Sequence, residues 1–183
     1  MNGPLARSCY VSPSATASPP RAGEDIEALY RTCRADVYGY VASILRDPAA
    51  AEDVTALAFE RALRGRARFD ARRGTPRAWL FGIARNAALD ELRRRSRSAA
   101  LLGDVADDAP LPDESSELAE RRLAVRAGLR GLSPRDREVV LLKFLGRLTN
   151  AELAHVLHTS ETNAGTRLSR ALQRLREACD APR

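Results

Sequence analysis

The chain contains two basic segments with the apolar spacing of helices, and an acidic stretch separates them. The first, residues 75–95, reads TPRAWLFGIARNAALDELRRR, and the second covers residues 132–176. In both, apolar residues recur every three or four positions, as on the buried face of an amphipathic helix. Twelve arginines and three acids occur between residues 61 and 97, whereas residues 99–120 carry seven acids and no base. This segregation predicts an all-α protein with two small helical domains joined by an acidic linker.

The positive charge is built almost wholly from arginine. Of the 30 basic residues only Lys143 is a lysine, and the formal net charge of the 183-residue chain is +6. Arginine forms bidentate contacts to phosphate and to guanine, so a basic helical surface of this kind favours a nucleic-acid partner. A GC-rich genome would also raise the ratio of arginine to lysine, but it would not concentrate the charge in particular segments.

Other kinds of site have little support in the sequence. Cys9, Cys33 and Cys179 form no CxxC pair, and His155 and His158 have no third ligand at metal-binding spacing. The sequence has no Gly-rich phosphate loop and no nucleophile motif, which argues against an enzyme. No apolar run approaches the roughly 20 residues of a membrane span. We therefore expect a cytoplasmic protein with no membrane association, no metal, no cofactor and no catalytic residues.

Helix-start signals divide the first domain, residues 24–97, into three helices. Apolar spacing predicts the first helix over residues 24–45. Asp47-Pro48 and Thr75-Pro76 each combine an N-cap with a proline at the first helical position, so they predict the starts of the second and third helices. A loop of nine residues separates these two helices. The second helix should end near its glycine at position 65 and the third about twenty residues after its start.

Segments without helical periodicity set the remaining boundaries. Residues 1–23 are rich in Ser, Pro and Ala and are predicted to be a disordered N-terminal tail. Residues 98–116 have the Pro, Ser and Asp content of a linker. Residues 117–178 are again periodic and form the predicted second domain, followed by a C-terminal tail over residues 179–183.

The second domain has the pattern of a helix-turn-helix. Ser133-Pro134 caps one helix, residues 149–157 form a short second helix, and Ser160 caps a last helix with a row of arginines. In a helix-turn-helix the second helix of the motif enters the major groove of DNA while the first crosses the backbone. We therefore expect the last helix to contact DNA.

Several short motifs in a fixed order resemble a known family. In the first domain they are Val37-Tyr38-Gly39-Tyr40, Asp53-Val54-Thr55, and Trp79-Leu80 followed by Ile83-Ala84-Arg85-Asn86. In the second they are Leu132-Ser133-Pro134, Ala151-Glu152-Leu153-Ala154 and Arg167-Leu168. With these motifs, residues 24–177 resemble an extracytoplasmic-function (group IV) sigma factor of bacterial RNA polymerase. The resemblance implies a region 2-like first domain, a region 4-like second domain, and a function in promoter-specific transcription initiation.

The resemblance also implies roles for particular residues. The helix that begins near Asp47 would dock on a coiled coil of the largest catalytic subunit of the polymerase, and its expected contacts are Asp53, Thr55, Ala56, Leu57 and Glu60. The loop and third helix would read the minus-ten promoter element and capture an unstacked base. The residues expected there are Arg66, Arg68, Arg72, Arg73, Arg77, Arg85, Asn86, Arg93 and Arg94. Trp79 lies on the apolar stripe and is expected mainly in the core. The helix-turn-helix would read the minus-thirty-five element through Ser160, Thr162, Asn163, Thr166, Arg167, Arg170 and Arg174.

The expected partners are core RNA polymerase and promoter DNA, and the family also implies an inhibitory anti-sigma protein. DNA stacking averages about 1.4 kcal/mol per step, so opening about ten base pairs costs on the order of 14 kcal/mol. A 20 kDa chain would need the polymerase to hold such a bubble. The acidic linker fits two roles equally well: a solvated tether, or an occupant of positively charged nucleic-acid channels in the polymerase.

Some positions depart from the family pattern. Ala56 and Leu57 stand where the family usually has glutamine and an acid. They leave open a rival function as a stand-alone or degenerate sigma-like helix-turn-helix regulator that does not engage polymerase. His158 replaces the usual turn glycine, and a positive φ there would cost about 1 kcal/mol or more. Gly165 inside the last helix costs about 1 kcal/mol relative to alanine. These departures predict either a marginal second domain or a recognition helix that starts late.

Overall fold

The computed structural model describes residues 24–102 and 125–180, and the described residues form α-helices with two short 3-10 turns and no strand. The all-α fold class is confirmed. The predicted N-terminal tail, the C-terminal residues 181–183 and the segment 103–124 lie outside the described residues.

The first domain consists of three helices, α1 (Glu24–Leu45), α2 (Pro48–Gly65) and α3 (Pro76–Leu102). The predicted starts of α2 and α3 are confirmed: Asp47 accepts a hydrogen bond from the amide of Ala50 at 3.1 Å, and the hydroxyl of Thr75 accepts one from the amide of Ala78 at 3.2 Å. The 3-10 turns Arg66–Arg68 and Ala71–Arg73 fill the loop between α2 and α3.

Helix α3 is longer than the periodicity predicted. It continues to Leu102 instead of ending near Arg95. The segment 98–102 contains serine, alanine and leucine but no glycine or proline, and the first helix-breaking residue is Gly103. The loss of an apolar stripe marks where burial ends, not where helical backbone ends, which explains the difference.

The first domain is centred on aromatic and aliphatic side chains of α1 and α3. Tyr40 and Phe81 are fully buried and meet edge to face, with their ring centroids 5.6 Å apart. Aromatic pairs of this geometry add about 0.5–1.5 kcal/mol to the value of their buried area. Val37, Val41 and Leu80 are also fully buried and complete this centre.

The second domain contains α4, of which residues 125–131 are described, followed by α5 (Pro134–Phe144), α6 (Asn150–Leu157) and α7 (Glu161–Asp180). The predicted cap at Ser133 is confirmed. Thr149, the first residue of the predicted short helix, is the cap of α6 and forms a reciprocal capping box with Glu152. Leu142, Leu148 and Leu153 are buried between these helices.

The helix-turn-helix is intact despite its unusual residues. His158 ends α6 in the left-handed conformation, with φ 53° and ψ 49°, so it occupies the backbone position that favours glycine. Ser160 accepts a hydrogen bond from the amide of Asn163 at 3.2 Å, and α7 begins directly at Glu161. The expectation of a late start for the recognition helix is therefore wrong, because the Ser160 cap is sufficient to begin the helix in spite of Gly165.

The two domains pack directly against each other. Helix α1 contacts α5, and α3 contacts α6. Gly39 and Gly82 lie at this contact, where an added Cβ atom would come within ordinary van der Waals distance of Leu145 (3.5 Å) and of Val156 (4.0 Å). The resulting contact positions two arginines of α3, Arg77 and Arg85, between the domains.

Candidate nucleic-acid interface

A small cleft lies between the end of α2 and the first turns of α3. Its volume is about 230 Å³. Its lining residues are Arg61, Gly65, Arg68, Trp79, Ile83 and Asn86. The indole of Trp79 is half-buried and packs against Phe69 at a centroid distance of 5.5 Å. The cleft therefore combines an aromatic wall with guanidinium and amide groups, which are the groups that stack on and hydrogen-bond to an unstacked base.

Arg61 was missed by the sequence reasoning. It lies four residues before Gly65 on α2, and this spacing places both residues on the same side of the helix. That spacing could have indicated its position beside the loop. Trp79 was expected mainly in the core, but it serves as a wall of the cleft as well as a packing residue.

The 3-10 turns present four exposed arginines next to the cleft, which are the predicted residues Arg66, Arg68, Arg72 and Arg73. Asp70 caps the second turn through the amide of Arg72 at 3.1 Å and also pairs with the Arg72 guanidinium at 3.0 Å. These hydrogen bonds, led by the one from the Arg72 side chain, lower the pKa of Asp70. Gly74 closes the turn with φ 144°, a conformation that other residues rarely adopt.

Arg77 faces the second domain and not the solvent. Its guanidinium pairs with Asp36 of α1 and donates to the carbonyl oxygens of Leu145 and Gly146 just beyond the end of α5, at 2.5 and 2.7 Å. It also lies 3.0 Å from the sulfur of Cys33. Carbonyl groups at a helix C-terminus carry partial negative charge, so Arg77 caps α5 from the other domain.

Arg85 is also engaged between the domains. Its Nε donates to Oε1 of Glu138 at 2.8 Å, and the side chains of the pair are only 16% and 12% exposed. The carboxylate lies close to Tyr40, and burial, followed by the charge of Glu138, raises the pKa of this tyrosine. Buried pairs of this kind strongly disfavour the loss of one partner.

Thr75 and Glu152 form the third polar contact between the domains. The amide and the hydroxyl of Thr75 donate to Oε1 of Glu152 at 3.1 and 2.5 Å, while Oε2 accepts from Thr149. One carboxylate thus caps the first turns of both α3 and α6. Burial acts to raise the pKa of Glu152, but these hydrogen bonds outweigh it and lower the pKa. We call the contacts made by Thr75, Arg77 and Arg85 the interdomain seam.

Arg93 and Arg94 lie further along α3 and are exposed. Arg93 pairs with Asp90 at 3.1 Å, and Arg94 pairs with Glu91 at 2.7 Å. The Arg94 hydrogen bond is the largest cause that lowers the pKa of Glu91 to about 2, and Arg95 adds to it. Asp90 is exposed, so Arg93 can exchange it for phosphate at little cost, since exposed ion pairs are worth about 0–1 kcal/mol. The side chain of Glu91 is only 13% exposed, so Arg94 would give up a stronger partner.

The predicted polymerase-contact residues do not all lie on one exposed surface of α2. Asp53, Ala56 and Glu60 are exposed, and Leu57 is half-buried. Thr55 is buried, with 5% of its surface exposed, so it is not presented in the way the sequence reasoning expected. Its inward direction follows from its place on the same side of α2 as Ala51 and Ala58, which are both fully buried.

The last helix presents most of its predicted DNA contacts to solvent. Thr162, Asn163, Thr166 and Arg170 are exposed, and Arg167 is half-buried. Ser160 is exposed as the cap of the helix. Arg174 forms an ion pair with Asp136 at the start of α5, so this arginine also holds α7 against its own domain.

Comparison with known proteins agrees with the two-domain geometry. Residues 29–98 match the family model for Sigma-70 region 2, and residues 122–175 match that for Sigma-70, region 4. The ECF RNA polymerase sigma factor SigK of Mycobacterium ulcerans is 33% identical in an alignment of 186 positions. The alignment covers 89% of this chain and 98% of the relative. This chain belongs to the extracytoplasmic-function sigma factors. It directs transcription as a sigma factor, and a regulator independent of polymerase is not favoured.

Other proteins similar to this sigma factor also match it over most of its length. SigK of Mycolicibacterium vanbaalenii is 31% identical over 86% of this chain and 83% of the relative. Among solved structures, the sigma factor RpoE in complex with the anti-sigma factor NepR from Bartonella quintana shares the fold, with a TM-score of 0.72 at 22% identity over 87% of this chain and 99% of that one. CnrH in complex with the cytosolic domain of CnrY has a TM-score of 0.62 at 25% identity, over 88% of this chain and 91% of the other.

Two further observations concern membrane-spanning helices and metal-binding clusters. Within the described residues of this sigma factor, no helix combines the length and apolarity required to cross a membrane. Within the same residues, no three His, Cys, Asp or Glu side chains are grouped so that they could hold a metal ion.

Proposed function

We propose that this sigma factor opens the minus-ten element with the cleft between α2 and α3. The observation that carries the proposal is the grouping of Trp79, Asn86, Arg68 and Arg61 around one cavity of about 230 Å³. A base that leaves the duplex stack can pack on the indole while the amide hydrogen-bonds its edge. The exposed loop arginines beside the cleft would hold the phosphates of the same strand.

The exposed part of α2 is the proposed docking surface for core polymerase. Asp53, Ala56 and Glu60 lie on it, and Leu57 adds a half-buried apolar contact. The small side chain of Ala56 leaves room for a polymerase side chain to approach the helix closely. Thr55 would act indirectly, by fixing the packing of α2 from inside the domain.

The last helix is the proposed reader of the minus-thirty-five element. The exposed residues of its first turns can reach base edges in the major groove, while Arg167 and Arg170 contact phosphates. Two DNA-binding domains on one chain bind with higher avidity when both promoter elements are suitably spaced. The function is that of a cytoplasmic specificity factor without catalytic activity of its own.

The domains must separate before all predicted residues can act. Arg77 and Arg85 were assigned to minus-ten recognition, yet both are bound to partners in the interdomain seam. We infer that binding to polymerase releases them. Among the solved structures that resemble this chain, the sigma factor RpoE is bound to the anti-sigma factor NepR, and CnrH is bound to the cytosolic domain of CnrY. We propose that an anti-sigma protein likewise binds this chain.

The test compares Asn86→Ala with Asp53→Ala. Asn86 is exposed and lines the cleft, so its loss should reduce promoter opening while co-elution with core polymerase stays intact. Asp53→Ala should weaken co-elution itself. Permanganate footprinting of the open promoter and size-exclusion chromatography with core polymerase measure the two steps separately. Equal loss of both steps in Asn86→Ala would overturn the assignment of the cleft to DNA.

A further inference from the structure

A second cavity lies where the corner between α1 and α2 faces α4 and the start of α5. Its volume is about 280 Å³, and residues of both domains line it. Four arginines contribute to its wall: Arg46 from the first domain and Arg126, Arg130 and Arg137 from the second. Asp47 is the only acid among the described lining residues. The cavity therefore concentrates positive charge at the boundary between the domains.

The positive charge of this cavity is not neutralised within the described parts of the chain. None of the four arginines forms an ion pair with a carboxylate there. The carboxylate of Asp47 binds Arg95 at 2.8 Å and the amide of Ala50 at 3.1 Å, and these contacts lower its pKa and use its charge elsewhere. Arg46, Arg126 and Arg130 are exposed and Arg137 is buried, so three solvated guanidinium groups and one fixed one are available to an anion that enters the cavity.

Arg137 is oriented rigidly at the wall. Its guanidinium donates to the carbonyl oxygens of Leu129, Arg130 and Leu132 at 2.7, 2.9 and 3.2 Å, and the residue is only 9% exposed. A guanidinium has five N–H donors, and the two on Nη1 of Arg137 have no acceptor among the described residues. Burial is the main cause that lowers the pKa of Arg137, and the positive charge of Arg46 adds to it. The guanidinium groups of Arg46 and Arg137 are therefore close enough to repel each other.

The backbone of Arg46 supports the same interpretation. This residue has φ 55°, a left-handed conformation that glycine adopts more readily, yet an arginine occupies it. Its amide donates to the carbonyl of Ala42 at 2.9 Å and ends α1, so its side chain leaves the helix at the edge of the cavity. The same left-handed geometry ends α6 at His158, so at Arg46 it ends the helix.

We propose that this cavity binds a compact anion with two or more phosphate groups. Its volume is slightly below the roughly 300–1,000 Å³ of ordinary small-molecule sites, which suits pyrophosphate or a nucleoside diphosphate. Arginine forms bidentate hydrogen bonds to phosphate, and the apolar side chains of Ala42 and Leu129 offer a surface for an organic group.

The bound anion would connect the two domains, since Arg46 and the other three arginines belong to different domains. A ligand that binds the closed arrangement stabilises it according to its concentration and affinity. In that arrangement Arg77 and Arg85 are held in the interdomain seam. The anion would therefore reduce transcription, a consequence that rests on the proposed function, whereas the binding itself does not.

The test is isothermal titration of the full chain with pyrophosphate and, separately, with ADP at low ionic strength. We expect saturable binding at one site, and Arg126→Ala with Arg130→Ala should raise Kd about tenfold or more, because charge-assisted hydrogen bonds are the strong ones. The matched control combines Arg34→Ala with Arg176→Ala, which removes the same charge from exposed positions outside the cavity. Tighter binding of ADP than of pyrophosphate would identify the organic group as part of the recognised ligand, and equal binding would identify the phosphates alone.

Several results would overturn the proposal. They are an absence of saturable binding, an equal loss in the two double variants, or tighter binding of a synthetic acidic peptide with the sequence of residues 103–120 to the same arginines. The titration requires no polymerase. A failure of the proposed function would instead appear as loss of core-polymerase binding or of transcription in a chain that still binds the anion.

Discussion

Replacement of Glu138 by glutamine should shift the two domains of this sigma factor apart. The pair with Arg85 is almost fully removed from water, and its Nε to Oε1 distance is 2.8 Å, whereas the second contact is 3.5 Å long. A hydrogen bond to a charged group contributes about 1.5–3 kcal/mol. Since glutamine keeps one acceptor oxygen, we expect the loss of docking free energy to lie near the lower value. A change of about 1.4 kcal/mol corresponds to a tenfold change in an equilibrium constant. The equilibrium constant for docking of the two domains should therefore fall about tenfold.

Small-angle X-ray scattering of the free chain measures this change directly, because separation of the domains increases the radius of gyration. Glu177→Gln is the matched control, since it removes the same charge from an exposed residue of α7 that is hydrogen-bonded to Gln173 of the same helix. Run-off transcription with core polymerase is a second readout. If release of Arg85 limits promoter opening, Glu138→Gln should increase the yield at subsaturating sigma factor.

A double-mutant cycle isolates the pair from general effects of charge. In an Arg85→Ala background, Glu138→Gln should have little further effect on the radius of gyration, because the partner is already absent. An unchanged radius in Glu138→Gln would refute the reasoning, provided that Glu177→Gln is also unchanged. It would mean that Arg77 and Thr75 hold the seam closed without help from this pair.

Three further predictions concern stability. Gly165→Ala should raise the free energy of unfolding in urea by about 1 kcal/mol, since a Cβ atom there would meet only Asn150 at an ordinary 3.7 Å; a decrease would show hidden strain in α7. His158→Gly should raise it by about 1 kcal/mol by relieving the left-handed backbone, and no gain would refute that cost. The folded pKa of Glu91 is about 2 against an ordinary 4.5, so its stabilising contribution is complete above pH 4.5 and lost as pH falls toward 2. Glu91→Gln should flatten the unfolding profile over that range, and an unchanged profile would contradict it.

Local signals predicted the helix starts of this chain because each start depends on residues only a few positions apart. Asp47, Thr75 and Ser133 each cap the amide three residues later, as their spacing to the following helix indicates. The end of α3 was not predicted because no local signal marks it before Gly103. The direction of Thr55 was also missed, since its polar side chain gave no indication that it faces the buried side of α2.

The interdomain seam had no signature in the sequence. Arg85 and Glu138 are 53 residues apart, and Thr75 and Glu152 are 77 apart, so nothing in either segment identifies its partner. The family resemblance implies that these arginines contact promoter DNA, so they were assigned to DNA alone. The same property that suits them to phosphate, a planar fork of donors, also suits them to carboxylates and to helix C-termini.

Carboxylates and carbonyl groups of the second domain thus compete with DNA for the same arginines. The exchange is energetically mild for Arg85, because a charge-assisted hydrogen bond to Glu138 is replaced by one to phosphate. It is less mild for Arg77, which would abandon an ion pair with Asp36 and two carbonyl acceptors at once. DNA can drive the exchange only by the difference in its affinity for the open and closed arrangements. We therefore expect Arg85 to exchange before Arg77, so that the contact between the first turn of α3 and the C-terminal end of α5 is the last part of the seam to separate.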